Sequence, residues 1–303
     1  MKRNRFEMVV LSFLGALVIL SLVIPQLVRD EGRIQPLALS VLFRDTESSG
    51  WAIGRQGMEQ AADELGAELR FLNLTTQNDG EEQAELLRRE AEGGAGALVV
   101  IPADSVALSA ILIGGGVSCP VVALESPVAG GAGEVVLDNE QLGRRLAEAL
   151  LEDWTSGPVL LLDTAPGCAG VTARLEAAGE ALEEAGVDAV RMESLPEDGS
   201  ADWVMTFERS ATLRTAERKE AEGLSFALYG VGGSTAITAH LERGTISAMA
   251  AWSDYAAGYL AVRQAVEATR ELERELEPLP FFILRGEDIY APEYQKLLFP
   301  VTS

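Results

Sequence analysis

"LYGVGGSTAITAHLERGT", Leu228 to Thr245, joins an apolar run to three glycines and then to residues at helical spacing. That is a strand, a tight turn and a helix in succession, the unit from which parallel α/β sheets are built. A dinucleotide fingerprint would continue Gly-x-Gly-x-x-Gly, so that the backbone can touch a pyrophosphate. Counting from Gly230, the third glycine falls due at position 235, which is Thr235, and no Gly-Lys-Ser/Thr follows. The stretch is therefore a strand-to-helix turn without a phosphate cradle.

The same unit recurs on both sides of it. From Pro36, "LALSVLF", "ELRFLNL", "ALVVIP", "PVVAL" and "EVVL" read as strands, separated by helical patterns over Trp51–Leu65, Glu81–Glu92 and Asp104–Ile113. After a helix over Gln141–Trp154 the alternation restarts with "GPVLLLD", "VDAVRM", "DWVMTF", "LSFALYGV", "ISAMAA" and "PFFIL". Helices are expected at Ala169–Ala185, Ser210–Glu222, Ala236–Arg243 and Asp254–Leu276. Short, continuously apolar strands are buried on both faces, which means parallel sheets covered by helices. Two such runs predict two Rossmann-like α/β lobes. "PEDGSADW" is too short to hold a helix before "DWVMTF", so the second lobe is minimal.

Composition narrows the function. The 303 residues are 48% hydrophobic and 23% charged, enough for a real core. A net charge of -23 excludes a phosphate-backbone binder, which needs a basic footprint. Cys119 and Cys168 form no metal or disulfide framework and read as two unrelated small side chains, with a single bridge between them left open. His240 is the sole histidine, on an amphipathic helix, and reads as a surface residue. Without a second histidine, a Gly-x-Ser-x-Gly elbow or a glycine fingerprint, no catalytic residue, metal or cofactor is expected.

At the N-terminus, Met8 to Val28 is a charge-free run of 21 residues, long enough for about 30 Å of hydrocarbon. Lys2, Arg3 and Arg5 precede it, so the bulk of the chain is expected outside a single-pass membrane anchor. The competing reading is a cleaved signal peptide; against it stand the length of the run and the lack of a small-x-small site after it. Arg29 to Gln35 then spans at most about 25 Å. A domain so tethered reaches a membrane partner but does not diffuse.

Open α/β sheets bind ligands beyond the carboxyl ends of their strands. The residues there include Asp45, Ser48, Ser49, Trp51, Asp104, Ser105, Glu125, Ser126, Asp163, Thr164, Thr172, Glu208, Arg209, Gly232, Ser234 and Trp252. Carboxylates, hydroxyls and indole faces together suit a sugar, which offers paired hydroxyls and an apolar ring face.

The order of motifs resembles the type I periplasmic solute-binding proteins, in their ribose-binding-protein-like branch. The resemblance rests on "GMEQAADELGAEL", "LVVIPADSVAL", "CPVVALES", "LDNEQLGRRLAEAL", "RLEAAGEAL" and "YGVGGSTAITAHLERGTISAMAAWSDYAAGYLAV", in that order from Gly57 to Val262. It implies two lobes joined by a three-strand hinge near Leu137–Asn139, Ala251–Ser253 and Leu276–Pro280. Residues 36–138 with 253–276 would form the first lobe and 139–252 with 277–303 the second, after a tail (1–7), an anchor (8–28) and a linker (29–35). It further implies a ligand site of Ser48, Trp51, Asp104, Glu125, Thr172, Glu208, Gly232 and Trp252. There the chain departs from the family pattern: Glu125 stands for an aspartate, Thr172 for an arginine, Glu208 near an asparagine, Gly232 for an aspartate and Trp252 for a glutamine. The implied function is a membrane-anchored extracytoplasmic binding protein that closes on a small polar ligand for an ABC importer. The alternatives are presentation of the domain to a membrane sensor kinase, or a scaffold that has lost its ligand.

Overall fold

The computed structural model describes residues 36–47, 49–272 and 276–298. The expected anchor, the linker and Ser48 lie outside these residues. Among the described residues no helix is long and apolar enough to cross a membrane.

The first lobe runs β1 (Leu37–Leu42), α1 (Ala52–Leu65), β2 (Ala67–Leu72), α2 (Gly80–Glu92), β3 (Ala97–Val100), α3 (Ser105–Ile113), β4 (Val121–Glu125) and β5 (Gly133–Val136). Its five strands lie in the order β2-β1-β3-β4-β5, all parallel. Alternation along each strand sends side chains to two faces. Leu39, Val41, Val99, Val122 and Leu124 pack on one side, Leu42, Leu98, Val100 and Ala123 on the other. Asp79 and Asp104 cap α2 and α3, accepting from the amides of Glu82 and Ala107 at 2.9 and 2.8 Å.

The second lobe runs α4 (Asn139–Asp153), β6 (Val159–Leu162), α5 (Ala169–Glu184), β7 (Ala189–Met192), β8 (Trp203–Thr206), α6 (Arg209–Glu222), β9 (Ala227–Val231), α7 (Thr235–Glu242) and β10 (Ala248–Trp252). The chain then returns to the first lobe as α8 (Asp254–Ala268), comes back as β11 (Phe281–Leu284) and ends its described part in α9 (Pro292–Leu298). The sheet order is β11-β10-β9-β8-β6-β7. No helix lies between β7 and β8, as the length of that connection requires.

Two features differ from expectation. Strand β11 is antiparallel to β10, pairing Trp252 with Phe281 and Met249 with Leu284. It returns from the hinge, where Leu279 bridges Leu137, and so meets β10 from the opposite end. Helix α8 stops at Ala268 rather than Leu276. Glu271 takes a left-handed φ of 57° and the Leu272 amide reaches back to Glu267 O at 3.1 Å. That is a helix stop usually made with glycine, so the sequence gives no warning of it.

Helix crossings set the position of the cleft. A Cβ on Gly57 would lie 2.0 Å from Tyr255 O, and one on Gly258 2.0 Å from Gly54 O, so α1 and α8 touch backbone to backbone. A Cβ on Gly143 would lie 2.0 Å from Arg174 O, which clamps α4 on α5 in the same way. That contact fixes the backbone of Arg174, whose side chain turns into the cleft.

Candidate functional site

The strand ends of the two lobes meet in a buried ionic cluster. From the first lobe come Arg44, Glu125 and Asp254; from the second come Arg174, Glu208 and Arg209, and all six are at most 5% exposed. Glu125 is the core of one half: its Oε1 accepts from Arg174 Nη1 at 3.0 Å and its Oε2 lies 3.3 Å from Arg44 Nη2. Arg174 also donates to Asn139 Oδ1 at 2.7 Å and to Phe207 O at 3.0 Å. Glu208 is the core of the other half, accepting from Thr164 Oγ1 at 2.8 Å and Asn78 Nδ2 at 3.3 Å, with Arg44 Nε at 3.7 Å. Arg44 thus stands between a carboxylate of each lobe. Arg209 Nη1 lies 2.7 Å from Asp254 Oδ2.

Burial alone disfavours every one of these charges, so the pairing must hold them. Burial pushes the Glu125 carboxyl up, but Arg44, Arg174 and Arg209 outweigh it and hold it down at about 2. Arg44 is also penalised by burial, yet Glu125, Cys168 and Glu208 raise it above its ordinary value. Arg174, with one carboxylate rather than two, is lowered, chiefly by burial. Asp254 is raised, again chiefly by burial, against the pull of Arg209. Glu125 also holds a φ of 74°, a left-handed conformation that a long side chain adopts only when its surroundings fix it.

The indoles of Trp51 and Trp252 flank the cluster, each 2% exposed. The Arg209 guanidinium lies 3.9 Å from the Trp51 ring centre and 5.0 Å from that of Trp252. Outward of this stack, a cavity of about 160 Å³ opens between the lobes. It is walled by Asp45, Trp51 and Gln77 on one side and by Arg209, Ser210, Arg214 and Ser234 on the other.

The residues expected at the site are dispersed by this geometry. Trp51 walls the cavity, while Glu125, Glu208 and Trp252 lie beneath it in the ionic cluster. Asp104 is half-buried and spends an oxygen on capping α3. Thr172 donates to Pro166 O at 3.2 Å, within its own helix approach. Gly232 packs against Arg209: a Cβ there would sit 3.4 Å from Arg209 Cγ. Arg209 stood among the strand-end residues but not in the expected ligand set, and Arg44, Arg174, Asn139 and Asp254 were in neither. Arg44 and Arg209 follow strand ends directly, which was the available signal; Arg174 sits mid-helix and gives none. His240 is buried rather than exposed, 3.0 Å from Glu220 in a cluster with Arg243, and does not line this cavity. Both cysteines are free, and Cys168 is a partner of Arg44 and Ser126 inside the interlobe cluster. Among the described residues no group of acidic, histidine and cysteine side chains is placed to hold a metal ion.

Two α/β lobes, three crossings and a polar site at the facing strand ends define a cleft-type binding protein. The chain belongs to the periplasmic binding protein domain family, which it matches over residues 39–272. No curated protein sequence matches it. Among solved structures it is similar to a carbohydrate transporter solute-binding protein from Agrobacterium radiobacter in complex with D-arabinose. That similarity has a TM-score of 0.73 at 16% identity, covering 88% of this chain and 99% of that one. A Caulobacter myo-inositol binding protein bound to myo-inositol has a TM-score of 0.72 at 20% identity, covering 87% and 98%. The periplasmic component of an ABC-type sugar transport system from Hahella chejuensis has 0.70 at 21%, covering 82% and 99%. At these identities the structural neighbours establish the fold. All three are named as binding or transport components rather than catalysts.

Proposed function

We propose that this chain is a membrane-anchored, extracytoplasmic solute-binding protein that closes its lobes on a small polyhydroxylated ligand, a sugar, and serves an ABC importer. The observation that carries the reading is the cavity of about 160 Å³ between the lobes, walled by an indole and by hydrogen-bonding side chains of both. A cavity of ~150 Å³ holds a benzene ring, so the space is on the scale of one small ring, and a monosaccharide would fill it only with some parting of the lobes. The neighbours' named ligands, D-arabinose and myo-inositol, are polyhydroxylated compounds of that size class and support it. The anchor rests on the charge-free run Met8–Val28 and the basic residues before it.

A thermal-shift screen against monosaccharides and cyclic polyols tests the reading. A ligand at 100 times its Kd stabilises the native state by about 2.7 kcal/mol, a rise of roughly 5–10 °C for a domain of this size. A folded protein whose melting point no such compound moves would sink it.

A second reading has an observation of its own. Arg44 links Glu125 of one lobe to Glu208 of the other, so the interlobe surface neutralises itself without a solute. On that reading the domain is a closed scaffold, and the same flat screen is its expected result. Whether the anchored domain serves an importer or a sensor kinase is separated by deleting the gene and following ligand uptake and induction of transport genes. Lost uptake with normal induction supports the importer; lost induction supports the kinase.

A further inference from the structure

Resting on that reading, the hydrogen-bonding capacity left over at the cavity identifies a class of ligand. Each oxygen of Asp45 already accepts one bond, from Trp51 Nε1 at 2.9 Å and from Gln77 Nε2 at 2.8 Å. Beneath the cavity, Glu125 and Glu208 are engaged by arginines, Asn78 and Thr164. Glu47 is the other carboxylate at the cavity wall, on its exposed rim. The acceptors are thus only partly engaged: each Asp45 oxygen keeps a lone pair, and beneath the cavity Glu125 Oε2 and Asp254 Oδ1 meet no hydrogen-bond donor.

Arg209 walls the cavity and is 5% exposed, and its Nε and Nη2 meet no hydrogen-bond acceptor. Its guanidinium lies beside the rings of Trp51 and Trp252, and its Nη1 is paired with Asp254. What remains is the Nε–Nη2 edge, whose parallel N–H groups match two oxygens of one anion. A buried guanidinium edge without an acceptor is costly, so a group that fills it gains more than one that meets solvated donors. Arg209 is also the first residue of α6, a helix of 14 residues whose N-cap, Glu208, makes no side-chain cap. The helix therefore presents uncapped amides and the positive end of its dipole beside the same cavity. Arg214, five residues further on, adds a second guanidinium to the wall, with its Nη2 3.7 Å from Glu208 Oε1.

We infer that the ligand is a polyol carrying one anionic group, a carboxylate or a phosphate monoester. The Arg209 Nε–Nη2 edge and the first amides of α6 receive the anion, and the polyol occupies the cavity they wall. The chain's charge of -23 opposes the approach of an anion at long range, so the attraction must be local to this edge.

The test uses matched probes on the purified full chain: D-glucose and D-galactose, D-glucuronate and D-galacturonate, and glucose 6-phosphate. By calorimetric titration at pH 7, an acidic probe should bind roughly ten- to a hundredfold more tightly than its neutral counterpart. Preference for a uronate assigns a carboxylate, preference for the phosphate ester a phosphate. Arg209→Lys retains the charge opposite Asp254 but loses the two-pronged edge, and should abolish most of that preference while the melting point shows the fold intact. Neutral and acidic sugars binding equally, or an Arg209→Lys variant with unchanged preference, would overturn the inference and leave the sugar reading standing. Binding of none of the probes, or of any monosaccharide, would remove both.

Discussion

Replacing Glu125 with glutamine should remove the neutralising charge from two buried guanidiniums while conserving shape. Glu125 is 1% exposed, lies 3.0 Å from Arg174 and 3.3 Å from Arg44, and is held at about 2 against an ordinary 4.5. A carboxyl that binds its proton so late is stabilised in its charged form by about 3 kcal/mol. The range for breaking a buried ion pair, ~3–5 kcal/mol, agrees. Glu125→Gln should therefore lower the unfolding free energy at pH 7 by about 3 kcal/mol, read by urea denaturation followed by tryptophan fluorescence and circular dichroism. The pH dependence supplies the sharper test. Because the folded carboxyl is depressed, its stabilisation is complete above about 4.5 and is lost as pH falls from there towards about 2. The wild type should lose stability over that window and the variant should not lose this part, so their difference should shrink as pH drops. A deficit below 1 kcal/mol at pH 7, or one of equal size at pH 7 and pH 3, would refute the assignment of Glu125 as the charged centre of the interlobe cluster.

Three further outcomes follow from particular contacts. Gly143→Ala places a methyl 2.0 Å from the backbone oxygen of Arg174, which cannot turn aside, so α4 must move off α5; a loss of ~1–3 kcal/mol is expected by denaturation, and an unchanged midpoint would disprove the close crossing. Asp104→Ala removes the cap on α3 and should cost ~1 kcal/mol while leaving the calorimetric response to any bound probe unchanged; lost binding would return Asp104 to the ligand site. In a thiol-reagent titration of the native protein Cys119 should react first and Cys168, fully buried among Arg44 and Ser126, only on unfolding; prompt reaction of both would contradict the closed cluster.

Much of the architecture was legible in the residues. Strands such as "ALVVIP" and "GPVLLLD" are apolar on both faces, and that property belongs to a buried parallel strand before any partner is known. The restart of the alternation after Asp138 marked the second lobe, and the short "PEDGSADW" forecast the missing helix. The hinge positions came from the family resemblance rather than from the residues themselves; at one of them Leu137 bridges Leu279. The stop of α8 at Ala268 and the antiparallel β11 were not legible. One depends on Glu271 adopting a glycine-like φ, the other on the direction from which the chain leaves the hinge.

The site divides along the same line. Sequence determined which residues stand at strand ends, so Trp51, Glu125, Glu208 and Trp252 were found at the interlobe surface. It also determined that Leu228–Thr245 is a strand, turn and helix without a phosphate cradle. Only the tertiary structure decided that Arg44, Arg174 and Arg209 turn inward. An arginine in a one-dimensional chain reads as a solvated charge, because burying one is prohibitive unless carboxylates wait for it. Here the carboxylates come from elsewhere in the chain: Glu125 lies 49 residues from Arg174, and Asp254 is brought to Arg209 by a hinge crossing. The charge of the cleft is thus a property of the closed pair of lobes, and neither lobe's sequence states it alone.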